Sequence, residues 1–286
     1  MAPGNDAQSV NIAVIIPTFD RQHFLGRAID SVLSQTRPAH EVIVIDDGST
    51  DGTVPWLKKE YPTVKLIEQT NQGVSAARNA GIQQAQSEWI ALLDSDDEWF
   101  PEKLERQVKE LQKYPEILFC HTDEIWIRKG VRVNPMKKHQ KFGGMIFSKC
   151  LDICRISPSS ALFSRTLLDD VGWFDETLPI CEDYDLWLRI TAKFPVLFIN
   201  DPLIIKYGGH RDQLSRSVDG IEQYRITALE KILEGPNLTK VNRSAAVQML
   251  IKKLNIYLTG LKKRGKARQV DEISGKIRHW EKQLTE

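Results

Sequence analysis

The stretch Trp89-Ile90-Ala91-Leu92-Leu93-Asp94-Ser95-Asp96-Asp97 sets three carboxylates within four positions, directly behind five apolar residues. Acids this close repel one another, and a cation relieves the repulsion. A hard divalent ion held by one or two carboxylates and the phosphates of a substrate suits such a cluster. A solvated loop of acids capping the helix that begins near Pro101 is the other reading the stretch allows. A second acidic pair, Asp46-Asp47, ends another apolar run and is followed by Gly48-Ser49. A third group, Glu182-Asp183, precedes Leu186, Trp187 and Ile190 at helical spacing. That spacing aims the Asp183 carboxylate toward the interior, while Asp185 is expected to pair outward with Arg189. The alternative for Asp183 is a first-turn acid stabilised by the helix dipole.

One cation stands out beside these acids. Arg78 falls inside the apolar stripe Val74, Ala77, Gly81, Ile82 and Ala85. A buried guanidinium without an anion is costly, so Arg78 needs Asp46 or Asp94 as a structural partner, or a substrate phosphate or nucleotide.

The elements that must position these residues alternate between strand and helix. Ile12 to Ile16 is a wholly apolar run closed by Pro17-Thr18, as a buried parallel strand requires. Phe24, Leu25, Ala28, Ile29, Val32 and Leu33 then recur at helical spacing, and Glu41 to Ile45 forms the next strand. Strand, helix and strand imply a right-handed crossover and a parallel pair. The Asp46-Asp47 and Asp94 to Asp97 clusters therefore share the C-terminal edge of one sheet, where open α/β sheets bind ligands. A short helix over Thr53 to Tyr61, a strand over Val64 to Ile67 and a helix after Asn71-Gln72-Gly73 complete this half.

Beyond Pro101, Leu104, Val108 and Leu111 line a helix. Ile117 to Cys120 and Ile125 to Ile127 read as separate strands, the second in a hairpin through Lys129-Gly130 to Val131. Asn134 to Gly144 is polar, basic and glycine-containing, a candidate mobile loop. Ser159 to Phe163 reads as a strand and Arg165 to Val171 as a short helix. Val196 to Ile199 and Leu203 to Ile205 read as two further strands, followed by a cationic turn at Gly208-Gly209-His210-Arg211. From Ile221 the pattern is helical only: Ile221 to Leu233, Ala245 to Leu261 and Ala267 to Leu284. Positive charge concentrates in these helices, as either a solvated face or a contact for a membrane surface or acidic partner.

Composition narrows the classes. The chain has 286 residues, 41% of them hydrophobic, enough for one large core or a core with an appendage. A net charge of +1 argues against a general nucleic-acid binder. Four cysteines without Cys-x-x-Cys spacing indicate neither a zinc site nor a disulfide framework. Met1 to Asn11 lacks the apolar core of a signal peptide, and no apolar run reaches membrane-spanning length. The expectation is a soluble, cytoplasmic protein, with the Asn237-Leu238-Thr239 and Asn242-Arg243-Ser244 sequons unused.

Taken together, these motifs resemble the family 2 glycosyltransferases, inverting enzymes of the GT-A fold that use nucleotide-diphospho-sugars. The likeness runs from about Ile12 to Ser217. Val14-Ile15-Ile16-Pro17-Thr18-Phe19 is similar to the first strand and its base-contacting turn, which implies nucleotide roles for Pro17, Thr18 and Phe19. Asp46-Asp47-Gly48-Ser49 resembles the segment whose second acid binds the base, here Asp47. Asn71-x-Gly73 with Ala77-Arg78-Asn79-x-Gly81 resembles the next signature and puts Arg78 on the nucleotide side. Asp94-Ser95-Asp96 resembles the D-x-D element, which implies Asp94 near the sugar or ribose and Asp96 on a Mg²⁺ or Mn²⁺ ion. Gly172-Trp173-Phe174-Asp175-Glu176 and Glu182-Asp183-Tyr184-Asp185-Leu186-Trp187 resemble the acceptor side, which implies Asp183 as the base; like-charge repulsion from the neighbouring Glu182 would raise its proton affinity. His210 and Arg211 are a less distinctive match for charge on the departing diphosphate.

The resemblance implies an α/β, GT-A-like fold with a mostly parallel central sheet flanked by helices and a C-terminal helical appendage. Its expected divisions are a disordered arm over 1–11, the glycosyltransferase domain over 12–217 and a helical region over 218–286. It implies an inverting transfer to an acceptor hydroxyl, in bacterial surface polysaccharide or glycolipid synthesis. The partners implied are a nucleotide-diphospho-sugar, UDP-sugar favoured, and a glycan or lipid-linked acceptor. Peripheral contact with the inner face of the membrane would run through the basic C-terminal helices. A catalytically silent nucleotide-sugar-binding scaffold with a partner-recruiting tail is the alternative, and the retained Asp47, Asp96 and Asp183 weigh against it. A nucleotidyltransferase would want a glycine-rich basic loop where Pro17-Thr18-Phe19-Asp20-Arg21 stands, and a dinucleotide dehydrogenase would want G-x-G-x-x-G.

Overall fold

The computed structural model describes residues 10–209, 220–235 and 238–285. Alternation of strand and helix in the first hundred residues produces a parallel layer. Strands β1 (Ile12–Thr18), β2 (Glu41–Asp46), β3 (Lys65–Glu68) and β4 (Trp89–Leu92) lie in the order β3, β2, β1, β4. All three pairings among them are parallel. β1 and the inner residues of β2 and β4 are buried, in keeping with their unbroken apolar runs.

Helices α1 (Gln22–Leu33), α2 (Thr53–Glu60) and α3 (Val74–Gln84) make the crossovers. α3 lies very close to the sheet at Gly81, where an added Cβ would stand 2.5 Å from Ile45 Cδ1 and 2.6 Å from Ile15 Cγ2. Only glycine permits that approach, which brings the start of α3 down to the C-terminal ends of β1, β2 and β4.

The second half of the sheet is mixed. β5 (Glu98–Trp99), β6 (Phe119–Arg128), β7 (Val131–Val133), β8 (Leu162–Ser164) and β9 (Leu197–Gly208) continue it in the order β4, β8, β6, β9, β5, with β7 hanging on β6 as a hairpin. β8 runs antiparallel to both neighbours, whereas β6 and β9 pair in parallel. The expected mostly parallel character therefore belongs to the first half alone, although the α/β class and flanking helices are as expected.

Two pairs of expected strands prove to be single elements. β6 takes in Phe119 and Cys120 of the first expected strand together with Ile125 to Ile127, and β9 takes in Leu197 to Ile199 together with Leu203 to Ile205. Register shifts around Thr122 to Glu124, which pair with Ile199, Pro202 and Ile204, account for the polar break between the halves. Ser159 is not in a strand: Pro158–Ser160 forms a 3-10 turn before β8. Asn134 to Gly144 is likewise less loose than expected, with Lys137–His139 in a 3-10 turn.

Helices α4 (Lys103–Leu111), α5 (Phe147–Cys150), α6 (Thr166–Val171) and α7 (Glu182–Lys193) flank this half. Three further helices follow: α8 (Ile221–Glu234), α9 (Lys240–Lys263) and α10 (Ala267–Thr285). Their apolar faces, through Ile226, Leu229, Leu250, Leu254 and Trp280, join the cluster that contains Trp187, Phe163 and Ile90. Val10 is packed, and Asn11 accepts a hydrogen bond from the Trp89 amide, so these two residues belong to the folded body.

Candidate active site

The C-terminal edge of the parallel layer gathers most of the acids singled out in the sequence. Thr18 and Asp46 are register partners, and the Leu93 amide bonds Ile15, so the ends of β2, β1 and β4 lie side by side. Asp47 and Asp94 are thus about two strand spacings apart, roughly 10 Å.

Each carboxylate there has a distinct duty. Asp46 Oδ2 caps the turn, accepting the Gly48 and Ser49 amides at 3.2 and 2.9 Å. Gly48 is required, since its φ is +84° and a Cβ would meet the Asn71 amide nitrogen at 2.9 Å. Asp47 accepts from Gln69 Nε2 at 2.7 Å and from the Gln72 and Gly73 amides at 2.9 and 2.8 Å. This expected base-binding acid therefore holds the Asn71-Gln72-Gly73 turn in place.

Arg78 resolves its alternatives structurally. Its Nη2 meets Asp94 Oδ1 at 2.8 Å and its Nη1 meets Glu182 Oε1 at 2.6 Å, with the guanidinium 3% exposed. Asp46, the other partner considered, does not pair with it. Opposing its burial, these two acids hold the guanidinium above its ordinary range. The bridge fastens α3, the end of β4 and the start of α7 to one point, and so carries Asp183 to the same edge.

Glu182 is committed to this bridge rather than standing free beside Asp183. Burial, first of all, pushes its carboxyl up to about 7; Arg78 opposes and Asp183 adds to the rise. Asp183 is half-buried, accepting the Tyr184 amide at 2.6 Å and the Cys154 thiol at 3.2 Å. Cys181, just ahead, adopts φ +64°, a left-handed conformation uncommon outside glycine. Asp185 does pair with Arg189, at 2.7 Å, but it points inward and also binds Lys231 of α8 at 3.0 Å, which corrects the expected outward pair.

The D-x-D turn separates its three acids. Asp96 pairs with Arg21 at 2.7 Å, and the Asp96 carbonyl accepts from Arg27 at 2.7 Å. Asp97 turns inward, accepting from Ser159 Oγ at 2.6 Å and the Tyr207 amide at 3.2 Å. Burial lifts its carboxyl well above the usual range, with Lys206 opposing and Asp96 and Asp94 adding.

Lys206 was not singled out in the sequence, where it sits among the apolar residues of β9. Its ammonium lies 3.0 Å from Ser157 Oγ. Enclosure disfavours its charge, but Glu124, Asp97, Asp94 and Asp183 together hold it above the ordinary lysine range. A cation thus stands between the D-x-D turn and the Asp183 side. Only the join of β6, β8 and β9 brings it there, so no local signal marks it.

Several buried polar atoms at this edge have no hydrogen-bond partner among the described residues: Thr18 Oγ1, Asp46 Oδ1, Ser75 Oγ and Arg78 Nε. Buried polar atoms are usually satisfied, so such a group at a sheet edge marks a place for a polar ligand. Pro17 and Thr18 close β1 here, and Phe19, 44% exposed, follows them. His210 and Arg211 lie outside the described residues.

Among the described residues no group of three or more His, Cys, Asp and Glu side chains converges on a metal site. Asp94 and Asp96 nevertheless suit Mg²⁺ or Mn²⁺, which commonly take one or two carboxylates and complete their shell with diphosphate oxygens and water. Both are partly accessible.

The glycosyl transferase family 2 matches residues 13–172, more than half of the chain and all but the first residue of the parallel layer. The chain is a family 2 glycosyltransferase. Among the relatives of this glycosyltransferase is the Escherichia coli UDP-Glc:alpha-D-GlcNAc-diphosphoundecaprenol beta-1,3-glucosyltransferase WfgD, 33% identical over 193 residues, covering 66% of this chain and 73% of WfgD. An uncharacterized glycosyltransferase of Rickettsia felis is 29% identical over 214 residues, 72% of this chain and 35% of the relative. The chain therefore spans about a third of the length of that rickettsial protein. The structure of Staphylococcus aureus TarS 1-349 in complex with UDP-GlcNAc shares the fold, with a TM-score of 0.74 at 20% identity over 94% of this chain and 81% of TarS 1-349.

Proposed function

We propose that this glycosyltransferase moves a sugar from a nucleotide-diphospho-sugar, UDP-sugar favoured, to a hydroxyl of a glycan or lipid-linked acceptor, with inversion, in surface polysaccharide or glycolipid synthesis. The observation that carries this reading is the Arg78 bridge. It joins Asp94 of the D-x-D turn to Glu182, the neighbour of Asp183, which supports a single site shared by the expected donor-side and acceptor-side acids. WfgD, by its name, uses UDP-Glc and a diphosphoundecaprenol-linked sugar, which supports both the donor class and the lipid-linked acceptor.

Position in the fold supports the following roles. Nucleotide contacts fall to Pro17, Thr18, Phe19, Asp47, Arg78 and Asp94 around the orphaned polar atoms. The acceptor hydroxyl gives its proton to Asp183, whose carboxylate is fixed by the Tyr184 amide and the Cys154 thiol. Glu182 positions Asp183 through Arg78. Lys206 and Arg78 would supply fixed positive charge to the departing diphosphate, an arrangement that favours departure because it needs no reorganisation. Asp96, with Asp94, would hold Mg²⁺ or Mn²⁺, and the ion would supply Lewis-acid stabilisation of the leaving diphosphate.

Thermal unfolding with UDP-, GDP- and dTDP-sugars, each with and without Mn²⁺, tests the reading. A UDP-sugar at a hundredfold excess over its Kd should stabilise the protein by about 2.7 kcal/mol, and only with the metal. Absence of any metal-dependent stabilisation by all three nucleotides would refute it.

A further inference from the structure

We propose that the β6–β7 hairpin and the 3-10 turn after it form a docking surface for an anionic phospholipid bilayer, separate from the basic C-terminal helices. The inference goes beyond sugar transfer and does not depend on which donor or acceptor is used.

Residues 125–151 contain seven Lys and Arg and no Asp or Glu, in a chain whose net charge is only +1. Lys141 is the exception among these cations, being buried in a pair with Glu124 at 2.9 Å. The other six, Arg128, Lys129, Arg132, Lys137, Lys138 and Lys149, are all exposed. Large apolar side chains stand exposed among them: Val131 at 64%, Met136 at 60% and Met145 at 60%. A bilayer surface offers both complements at once, anionic headgroups for the cations and an acyl boundary for the apolar groups. A soluble polyanion would leave Val131, Met136 and Met145 in water.

The surface is shaped by contacts within the folded chain. Lys129 and Gly130 turn the hairpin with φ +51° and +77°. His139 packs edge-on against Trp126, ring centroids 4.9 Å apart, and Arg128 lies over the same Trp126 ring at 5.3 Å. Arg155 donates to the carbonyls of Lys138, Gln140 and Lys149, which gathers the 3-10 turn and α5 around one guanidinium. Asp152 anchors that guanidinium at 3.0 and 3.1 Å. The preceding residue, Cys154, bonds Asp183. The platform therefore adjoins the start of α7.

Flotation of the full chain with vesicles of phosphatidylglycerol and phosphatidylcholine, against phosphatidylcholine alone, tests the proposal. Binding is expected to anionic vesicles only, and to weaken with salt. The variant Lys129→Glu/Arg132→Glu/Lys137→Glu/Lys138→Glu should bind anionic vesicles at least about 600-fold more weakly, since each basic residue near such a surface contributes about fivefold. Its thermal midpoint should be unchanged, because these side chains are exposed. Val131→Asp/Met136→Asp should also weaken binding, whereas Lys262→Glu/Lys263→Glu/Arg268→Glu in the C-terminal helices should not. Failure to float with anionic vesicles, or full binding by the hairpin variants, would overturn the proposal. So would loss through the C-terminal variant alone, or weakening of RNA binding in place of vesicle binding.

Discussion

Arg78 makes the sharpest demand on single-residue chemistry in the molecule. Two carboxylates, one of them buried, share its guanidinium, and truncation would strand both. Arg78→Ala is expected to cost about 3–5 kcal/mol in urea unfolding. Arg78→Lys should recover only part of that, because a single ammonium cannot span both acids as the planar fork does. The sequence already demanded an anionic partner here. It could not choose between Asp94 and Asp46, because the choice depends on how α3 crosses the sheet. Nor could it find Glu182, 104 residues away in the chain.

His121 offers a test in pH. It is fully buried in β6, with Nε2 2.9 Å from the Phe142 carbonyl. Burial first, and Lys141 next, lower its pKa from 6.5 to about 3. The folded chain thus keeps the ring neutral where the unfolded chain takes up a proton. Its contribution to stability is whole above pH 6.5 and is lost as the pH falls toward 3. His121→Asn should give a shallower loss of stability across that window, measured by denaturant midpoints at stepped pH.

Helix α3 shows what an element contributes to the site. Its close crossing at Gly81 sets the height of Arg78 above the strand ends. Gly81→Ala should cost about 1–3 kcal/mol, since the methyl groups of Ile15 and Ile45 must move within a packed core. If the same variant left Arg78 in register, nucleotide binding would be spared while stability fell.

The early elements were legible because buried parallel strands and amphipathic helices have strong periods, and β1 to β4 fall where the pattern put them. The second half was harder to read. β6 and β9 each run through a polar break at the register shift, so each resembled two strands. Ser159 and Ser160 looked like strand residues, yet their hydroxyls are spent on Asp97 and on the Ser157 carbonyl. Lys206 was hidden by its apolar neighbours in β9.

The whole chain is joined by contacts that cross its expected divisions. Lys231 of α8 binds Asp185 of α7, and Lys253 of α9 binds Glu222 and the Asp152 carbonyl. The helical region thus braces the element that carries Asp183, and we take its separation from the 12–217 domain as one of sequence pattern rather than of packing. No described helix is long and apolar enough to cross a membrane.

The proposed function divides the labour between two elements joined by Arg78, with donor groups on the parallel layer and Asp183 on α7 as the proton acceptor. Paired measurement on Asp183→Asn tests that division most directly: sugar transfer from a UDP-sugar, and UDP affinity by titration calorimetry, each against the parent chain. Transfer is expected to fall by about 10²–10⁴-fold, the range for loss of a general base, with UDP affinity unchanged. Undiminished transfer, or transfer and UDP binding lost together, would contradict the assignment of Asp183 as the base.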